Sequence, residues 1–155
     1  MMKSFKNNFP AVFLFGISLF IFSCSSDDDN PNNLTIQNEI RANVGIGTWK
    51  ITSFIDSGTD ETSDFTGYNF TFNANGVLNA TNGVNSYDGT WSVESSNSSD
   101  DSPDDLDFNI NFTVMNDFED LSDDWDIISQ SSTKIELIDI SGGNGGTDLL
   151  TFERN

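Results

Sequence analysis

Residues 106–114 read Leu-Asp-Phe-Asn-Ile-Asn-Phe-Thr-Val, an unbroken alternation of apolar and polar side chains. Successive side chains of a β-strand point to opposite faces of the sheet, so a strict period of two predicts a half-buried strand. The apolar face would carry Leu106, Phe108, Ile110, Phe112 and Val114. The stretch therefore predicts a sheet with one face turned to an apolar core.

Seven further segments show strand patterns, and most are joined by short turns. They cover residues 47–55, 68–72, 77–81, 90–93, 125–129, 134–140 and 148–154. Short connections between neighbours favour an antiparallel meander, and Asn75-Gly76 is a strong hairpin signal. Eight such strands can close on themselves, which removes exposed sheet edges. We predict an all-β fold, an eight-stranded antiparallel up-and-down β-barrel, with a β-sandwich as the alternative.

Two features accompany the predicted barrel. Ile36, Ile40 and Val44 recur every four residues, which predicts a short N-terminal helix over residues 34–44 with Thr35 as its N-cap. Strand parity predicts an inward face rich in aromatic rings. Its members are Trp49, Ile51, Ile55, Tyr68, Phe70, Phe72, Trp91, Val93, Leu106, Phe108, Ile110, Phe112, Trp125, Ile127, Ile135, Leu137, Leu150 and Phe152.

The composition excludes several classes of function. The chain has 25 acidic and 6 basic residues and a net charge of −19, which argues against a nucleic-acid partner, because phosphates require Lys and Arg. It contains no His and one Cys, so neither a Ser-His-Asp triad nor a Cys-rich zinc site can form. We expect a protein that is not an enzyme and carries no cofactor, although a pair of carboxylates could in principle act as acid and base.

The N-terminus has the pattern of an export signal. Lys3 and Lys6 precede the apolar residues 10–22, and a positive region before about 7–15 apolar residues is typical of a signal peptide. The apolar run is short for a transmembrane helix, which needs about 20 residues. Residues 21–24, Ile-Phe-Ser-Cys, resemble a bacterial lipobox, although Phe22 is bulkier than usual there. We predict a lipoprotein signal peptide over residues 1–23 and lipidation of Cys24, with an ordinary signal peptide as the alternative.

Cleavage before Cys24 would leave 25 acidic and 4 basic residues, because Lys3 and Lys6 are lost, and hence a net charge of −21. Such a chain is repelled by anionic lipids, so acyl chains such as palmitate would have to hold it at the membrane. Residues 24–33 form an acidic tether in this prediction. Residues 25–29, Ser-Ser-Asp-Asp-Asp, resemble the export tag of Bacteroidota surface lipoproteins, which implies the outer membrane and its cell-surface leaflet. A solvated linker explains the same composition.

Gly47-Thr48-Trp49 is a short motif that indicates a family resemblance. A Gly-x-Trp at the start of the first strand, after a short helix and before seven more strands, resembles the lipocalin-like families of the calycin group. The chain is similar to lipocalin-like domain lipoproteins of Bacteroidota over residues 36–154, within a predicted domain of residues 34–155. The resemblance implies that Trp49 closes one end of the barrel and that Arg154 packs across it. Unlike many secreted lipocalins, this chain cannot form an internal disulfide, and Gly89-Thr90-Trp91 repeats the short motif.

The resemblance also implies a non-catalytic protein that binds a small hydrophobic ligand. Eight strands enclose a space that side chains can just fill or that holds one small ligand. The predicted ligand-binding residues are Tyr68, Phe70, Phe72, Trp91, Phe108 and Phe112. The alternative is a filled barrel that acts as a surface interaction or structural module through acidic loops that could bind calcium. We expect a monomer in either case.

Three oxygen-rich segments raise the question of calcium. They are residues 100–105, 117–124 and 142–148. Calcium takes about 6–8 oxygen ligands, but neither acidic run has the spacing of an EF-hand. The glycine-rich segment is similar to a calcium-binding nonapeptide, yet it occurs once and such repeats act by stacking. We interpret all three as solvated loops and predict no metal site.

Overall fold

The computed structural model describes residues 31–95, 106–140 and 146–155. Predictions for the signal peptide, for Cys24, for most of the tether and for the loops at 100–105 and 142–145 lie outside the described residues. One α-helix, α1, spans Pro31–Val44 of the described chain. The described strands are β1 (Trp49–Asp56), β2 (Thr59–Asp60), β3 (Asn69–Phe72), β4 (Val77–Thr81), β5 (Ser86–Ser95), β6 (Leu106–Phe112), β7 (Asp123–Gln130), β8 (Lys134–Ile140) and β9 (Thr147–Arg154).

The strands form a closed antiparallel barrel. The order in the sheet is β2-β1-β3-β4-β5-β6-β7-β8-β9, and β1 also pairs with β9. The eight barrel strands are β1 and β3 to β9, because β2 only forms a short hairpin with the end of β1. The β1–β9 seam runs from the pair Trp49–Arg154 to the pair Ile55–Leu149. The predicted eight-stranded barrel is confirmed, and the sandwich alternative is wrong.

The inward face follows the predicted strand parity except at the end of β1, where Phe54 and not Ile55 is buried. Of the eighteen predicted residues, all are buried except Ile55, Tyr68, Leu106 and Ile127, which are half-buried. The register of β1 against β9 shifts between Ile51 and Ser53. This bulge inserts a residue and reverses the parity beyond it, so that Phe54 rather than Ile55 enters the core.

The largest differences from the predicted boundaries are at the starts of α1 and β5. Helix α1 begins at Pro31, where proline is tolerated because the first helical residue needs no hydrogen-bonded N–H. Thr35 therefore lies inside the helix and is not its N-cap. The buried helix face consists of Asn33, Gln37, Ile40 and Val44, whereas Ile36 is exposed. Strand β5 begins at Ser86, four residues before the predicted start.

Both ends of the barrel are covered. Helix α1 lies across one end, which we call the helix end. The other end, the cap end, carries two 3₁₀ helices, Thr62–Phe65 and Glu119–Leu121. Phe65, Phe118 and Leu121 from these segments are buried. Within the three described ranges, no helix combines the length and the apolar character needed to cross a bilayer.

Candidate functional site

Trp49 and Arg154 come together at the helix end. Trp49 is fully buried, and its Nε1 donates a hydrogen bond of 2.9 Å to the carbonyl oxygen of Val44 at the end of α1. The guanidinium carbon of Arg154 lies 4.9 Å from the centroid of the Trp49 ring. Arg154 also donates a hydrogen bond to the carbonyl oxygen of Asn43. The pair therefore joins β1, β9 and the C-terminal turn of α1.

Side chains of α1 attach the helix to the opposite wall of the barrel. Gln37 Nε2 donates to Ser95 Oγ, at the helix end of β5, at 3.1 Å. Arg41 donates to the carbonyl oxygen of Val93, also on β5. These bonds, like the 3.3 Å contact of Asn43 Nδ2 with Gln130 Oε1 on β7, satisfy polar groups that the helix would otherwise bury. Helix α1 is thus fixed to strands on several sides of the barrel.

The predicted ligand-binding residues pack against one another in the barrel. Phe72 lies 5.3 Å from Trp91 and 5.6 Å from Phe108, centroid to centroid, and Trp91 stacks on Phe108 at 5.8 Å. Phe70 meets Phe152 edge-on at 5.3 Å. Ring separations of about 4.5–7 Å are those of touching aromatic pairs. The rings therefore contact each other inside the barrel.

Phe118 fills the interior at the cap end. It is buried, and five aromatic rings surround it at centroid distances of 4.7–6.0 Å. These rings belong to Phe65, Tyr68, Phe70, Tyr87 and Phe112. Phe118 was not predicted as a core residue, because it lies in an irregular segment where no alternation of apolar and polar residues indicates burial. The available signal was a lone aromatic residue between acidic neighbours.

Acidic side chains collect around the cap end. Burial raises the pKa of Glu61 and of Asp120, and the charges of Asp56, Asp64 and Asp117 raise both pKa values further. These carboxylates therefore repel one another. Across the part of the chain that the structure describes, no group of three or more His, Cys, Asp or Glu side chains is placed to hold a metal ion.

Another carboxyl with a raised pKa, that of Asp123, lies at the start of β7. Burial raises the pKa of Asp123 to about 6, and the neighbouring Asp124 and the charge of Asp139 raise it as well. The backbone N–H of Asp124 donates to Asp123 Oδ1 at 2.9 Å, which opposes this shift. Perturbed pKa values mark functional sites and structural networks alike, and here like charges surround the group.

Two grooves flank α1 on the outside of the barrel. The first, the Ile128 groove, has a volume of about 490 Å³ and lies between α1 and strands β6 and β7. Its apolar lining comprises Ile36, Ile40, Leu106, Ile127 and Ile128, beside Asp126, Ser129 and Gln130. The second, the Arg41 groove, has a volume of about 410 Å³ and lies between α1, the β3–β4 turn and β5. It is lined by Arg41, Ala42, Ala74, Gly76, Trp91 and Ser92.

The predicted ligand-binding residues differ in their relation to these grooves. Of the six, Trp91 lines the Arg41 groove, while none of them lines the Ile128 groove. Arg41 and the β3–β4 turn were not predicted as site residues, because they meet only through the tertiary fold.

Comparisons with known proteins add one structural likeness. No family model matches the sequence, and no curated protein matches it. A solved structure, of a DUF4847 family protein from Bacteroides vulgatus ATCC 8482, is similar with a TM-score of 0.47 and 19% sequence identity. The match covers 72% of this chain and 94% of that chain. The closed eight-stranded barrel fits the calycin resemblance at the level of architecture.

Proposed function

We propose that this chain is a lipid-anchored protein of the outer membrane that binds a small apolar ligand without catalysis. The observation that carries the binding proposal is the pair of grooves beside α1, with volumes of about 490 and 410 Å³. Small-molecule sites have volumes of about 300–1,000 Å³ and mostly apolar linings with a few polar groups. Both volumes fall within that range, and the lining of the Arg41 groove is mostly apolar.

The packing of the interior supports a site outside the barrel. A ligand among Phe72, Trp91 and Phe108 would have to separate rings whose centroids lie 5.3–5.8 Å apart. Separating them forfeits ring contacts worth about 0.5–1.5 kcal/mol per pair beyond their buried area. The grooves require no such rearrangement, so we propose that the ligand binds there and not between these rings; Trp91 would contact it from the Arg41 groove.

The anchor is proposed from the sequence at the N-terminus. Cys24 stands where a lipobox places the modified cysteine, and α1 begins seven residues later at Pro31. Acyl chains would hold the barrel near the membrane against the repulsion of a mature net charge of −21, which follows from the loss of Lys3 and Lys6. The acidic residues after Cys24 support display at the cell surface.

The anchor is tested by growing expressing cells with an alkyne analogue of palmitate. We expect label on the wild-type chain and none on Cys24→Ala, with Ser25→Ala as a matched control that keeps the label. An unlabelled wild-type chain would overturn the anchor. Cell-surface display is tested by protease treatment of whole cells, where an intact protein on undamaged cells would contradict it.

The ligand proposal is tested on the lipidated chain in a nonionic detergent. A panel of small water-soluble aromatic and aliphatic compounds is screened by saturation-transfer NMR against wild type, Ala42→Trp and Ile128→Trp. Each tryptophan fills one groove, so at least one variant should lose binding, while Asn38→Trp on the exposed side of α1 should not. The proposal fails if no compound binds, or if the double variant Ala42→Trp/Ile128→Trp binds as wild type does.

A filled barrel that acts as a surface interaction module is the second candidate. The observation that favours it is the acidic cap end, where Asp56, Glu61, Asp64, Asp117 and Asp120 repel one another. Basic partners would relieve that repulsion. This candidate would be favoured if the ligand screen fails but the purified chain binds a Lys-rich peptide in low salt. The double variant Glu61→Gln/Asp120→Asn should then lose peptide binding.

A further inference from the structure

We propose that the Arg41 groove binds a small apolar molecule that carries a carboxylate, and that the guanidinium of Arg41 binds this carboxylate. The inference rests on the proposed ligand-binding function and adds the chemical class of the ligand. It is carried by the placement of a cationic side chain beside an apolar groove in a strongly acidic chain.

The walls of the Arg41 groove are held in place by backbone hydrogen bonds. The N–H of Gly76 donates to the carbonyl oxygen of Asn73 at 3.0 Å, and the N–H of Trp91 donates to the carbonyl oxygen of Gly76 at 2.9 Å. These bonds tie the β3–β4 turn to β5. Trp91 Nε1 donates to the carbonyl oxygen of Asn73 at 2.9 Å, which fixes the indole as well. The groove is therefore preformed, which lowers the entropy lost on binding.

Small side chains leave the groove open. Ala42 of α1 and Ala74 of the turn face it, and Gly76 adopts a φ of +81°, which favours glycine. The remaining wall is Trp91 and Ser92 of β5. An apolar body of modest size can thus contact alanine and tryptophan walls, while its polar group points toward Arg41.

Arg41, unlike Lys134, has no carboxylate partner among the described residues. Lys134 forms an ion pair of 2.5 Å with Glu136, and Arg154 lies over Trp49. Arg41 donates to the neutral carbonyl of Val93, and within residues 31–95, 106–140 and 146–155 no carboxylate forms an ion pair with it. A guanidinium has five N–H donors, so it can keep this bond and still bind a carboxylate.

The charges of the chain and of the two groove linings favour a carboxylate ligand in the Arg41 groove. The net charge of −19 repels anions in general, so an anionic ligand requires a local cation with matching geometry. Arginine binds a carboxylate through two parallel hydrogen bonds, which is stronger than a neutral contact. The charged residue in the lining of the Ile128 groove is Asp126, which disfavours a carboxylate there. The observations therefore favour the Arg41 groove.

Isothermal titration of the lipidated chain in nonionic detergent tests the inference. The three compounds are 3-phenylpropanoate, its neutral amide and 3-phenylpropylamine, which share one apolar body. We expect the carboxylate to bind at least tenfold more tightly than the amide, and the amine to bind least. Arg41→Met should lower carboxylate affinity about tenfold or more, since hydrogen bonds to charged groups are among the stronger ones.

Two variants control for indirect effects. Arg41→Lys keeps the charge but loses the paired hydrogen bonds, so we expect intermediate affinity. Lys50→Met removes one positive charge from β1, outside the groove lining, and should leave affinity unchanged. Unchanged amide binding by Arg41→Met would show that its groove remains intact.

The outcomes separate the inference from the proposed function. Equal affinity for carboxylate and amide, or carboxylate binding that Arg41→Met does not weaken, overturns the inference and leaves ligand binding standing. If none of these three compounds binds and the wider screen also finds no ligand, both the inference and the proposed ligand-binding function are overturned. Carboxylate binding that Ile128→Trp abolishes and Ala42→Trp does not would also overturn the assignment to the Arg41 groove.

Discussion

Trp49 and Arg154 lie directly opposite each other on β1 and β9, with the guanidinium carbon 4.9 Å from the centroid of the indole ring. The indole N–H of Trp49 and the guanidinium of Arg154 donate to consecutive carbonyls at the end of α1, those of Val44 and Asn43. One contact thus joins the first strand, the last strand and the helix. It stabilises the seam at the end of the barrel that α1 covers.

Trp49→Ala should lower the free energy of unfolding by about 3–5 kcal/mol, because it empties a fully buried site and removes the partner of Arg154. Urea denaturation followed by circular dichroism measures the change. A loss below about 1 kcal/mol would mean that Trp49 contributes little to the closure of the barrel.

Phe118→Ala should destabilise the protein by about 3–5 kcal/mol, because five aromatic rings lose their shared partner. Met115→Ala is the matched control in the same segment, since Met115 is 97% exposed. We expect the control to change stability by no more than about 0.5 kcal/mol. Similar melting temperatures for the two variants would contradict a buried role for Phe118.

Gly89→Ala should destabilise the fold through a backbone clash. A Cβ at position 89 would lie 2.5 Å from the carbonyl oxygen of Asn111 and 2.8 Å from a ring carbon of Phe112. Because the first of these atoms belongs to a paired strand, it cannot move away without breaking the β5–β6 register, and we expect a loss of about 1–3 kcal/mol. Thr90→Ala, one residue along, is the control in thermal melts. A Gly89→Ala melting temperature within a degree of that control would refute the clash.

Asp123 should make stability fall as pH rises. Its pKa is about 6 in the folded chain, above its ordinary value of 3.8, so the folded state binds the proton more tightly than the unfolded state does. The stability linked to this proton is present at low pH and is lost as pH rises from about 4 to about 6. Asp123→Asn should therefore be more stable than wild type at pH 7, and the difference should shrink toward pH 4.

Urea denaturation of both proteins between pH 4 and 7 measures this dependence. The exposed Asp60 and Glu136 have lowered pKa values and act in the opposite direction, but they are present in both proteins and cancel in the comparison. Equal stability of the two proteins at every pH would show that folding does not raise the pKa of Asp123.

Periodicity predicted the strands and most of the core because neighbouring residues determine it. The alternation in β6 placed Phe108 and Phe112 inside, and no bulge interrupts its pairing with β5. In β1 the bulge after Ile51 reversed the parity, so Phe54 took the place expected for Ile55. The bulge arises from the way β1 pairs with β9, so the residue pattern of β1 alone does not predict it.

The candidate site was harder to predict than the fold. Arg41 lies on a helix, Ala74 in a turn and Trp91 on a strand, and these elements meet only in the folded barrel. Phe118 lies in a segment without period, so its burial depends on the five rings that the barrel places around it. In both cases the decisive contacts join residues that are distant in sequence.

The pairing of β1 with β9 has a consequence for biogenesis. The seam cannot form until the ribosome has made β9, so the barrel has no complete hydrogen-bonded circuit while earlier strands emerge. A pairing between strands this far apart in sequence forms slowly, whereas the neighbouring strands pair through short turns. For the exported chain proposed above, late closure of this seam would favour passage of the unfolded chain through the translocon before the barrel closes.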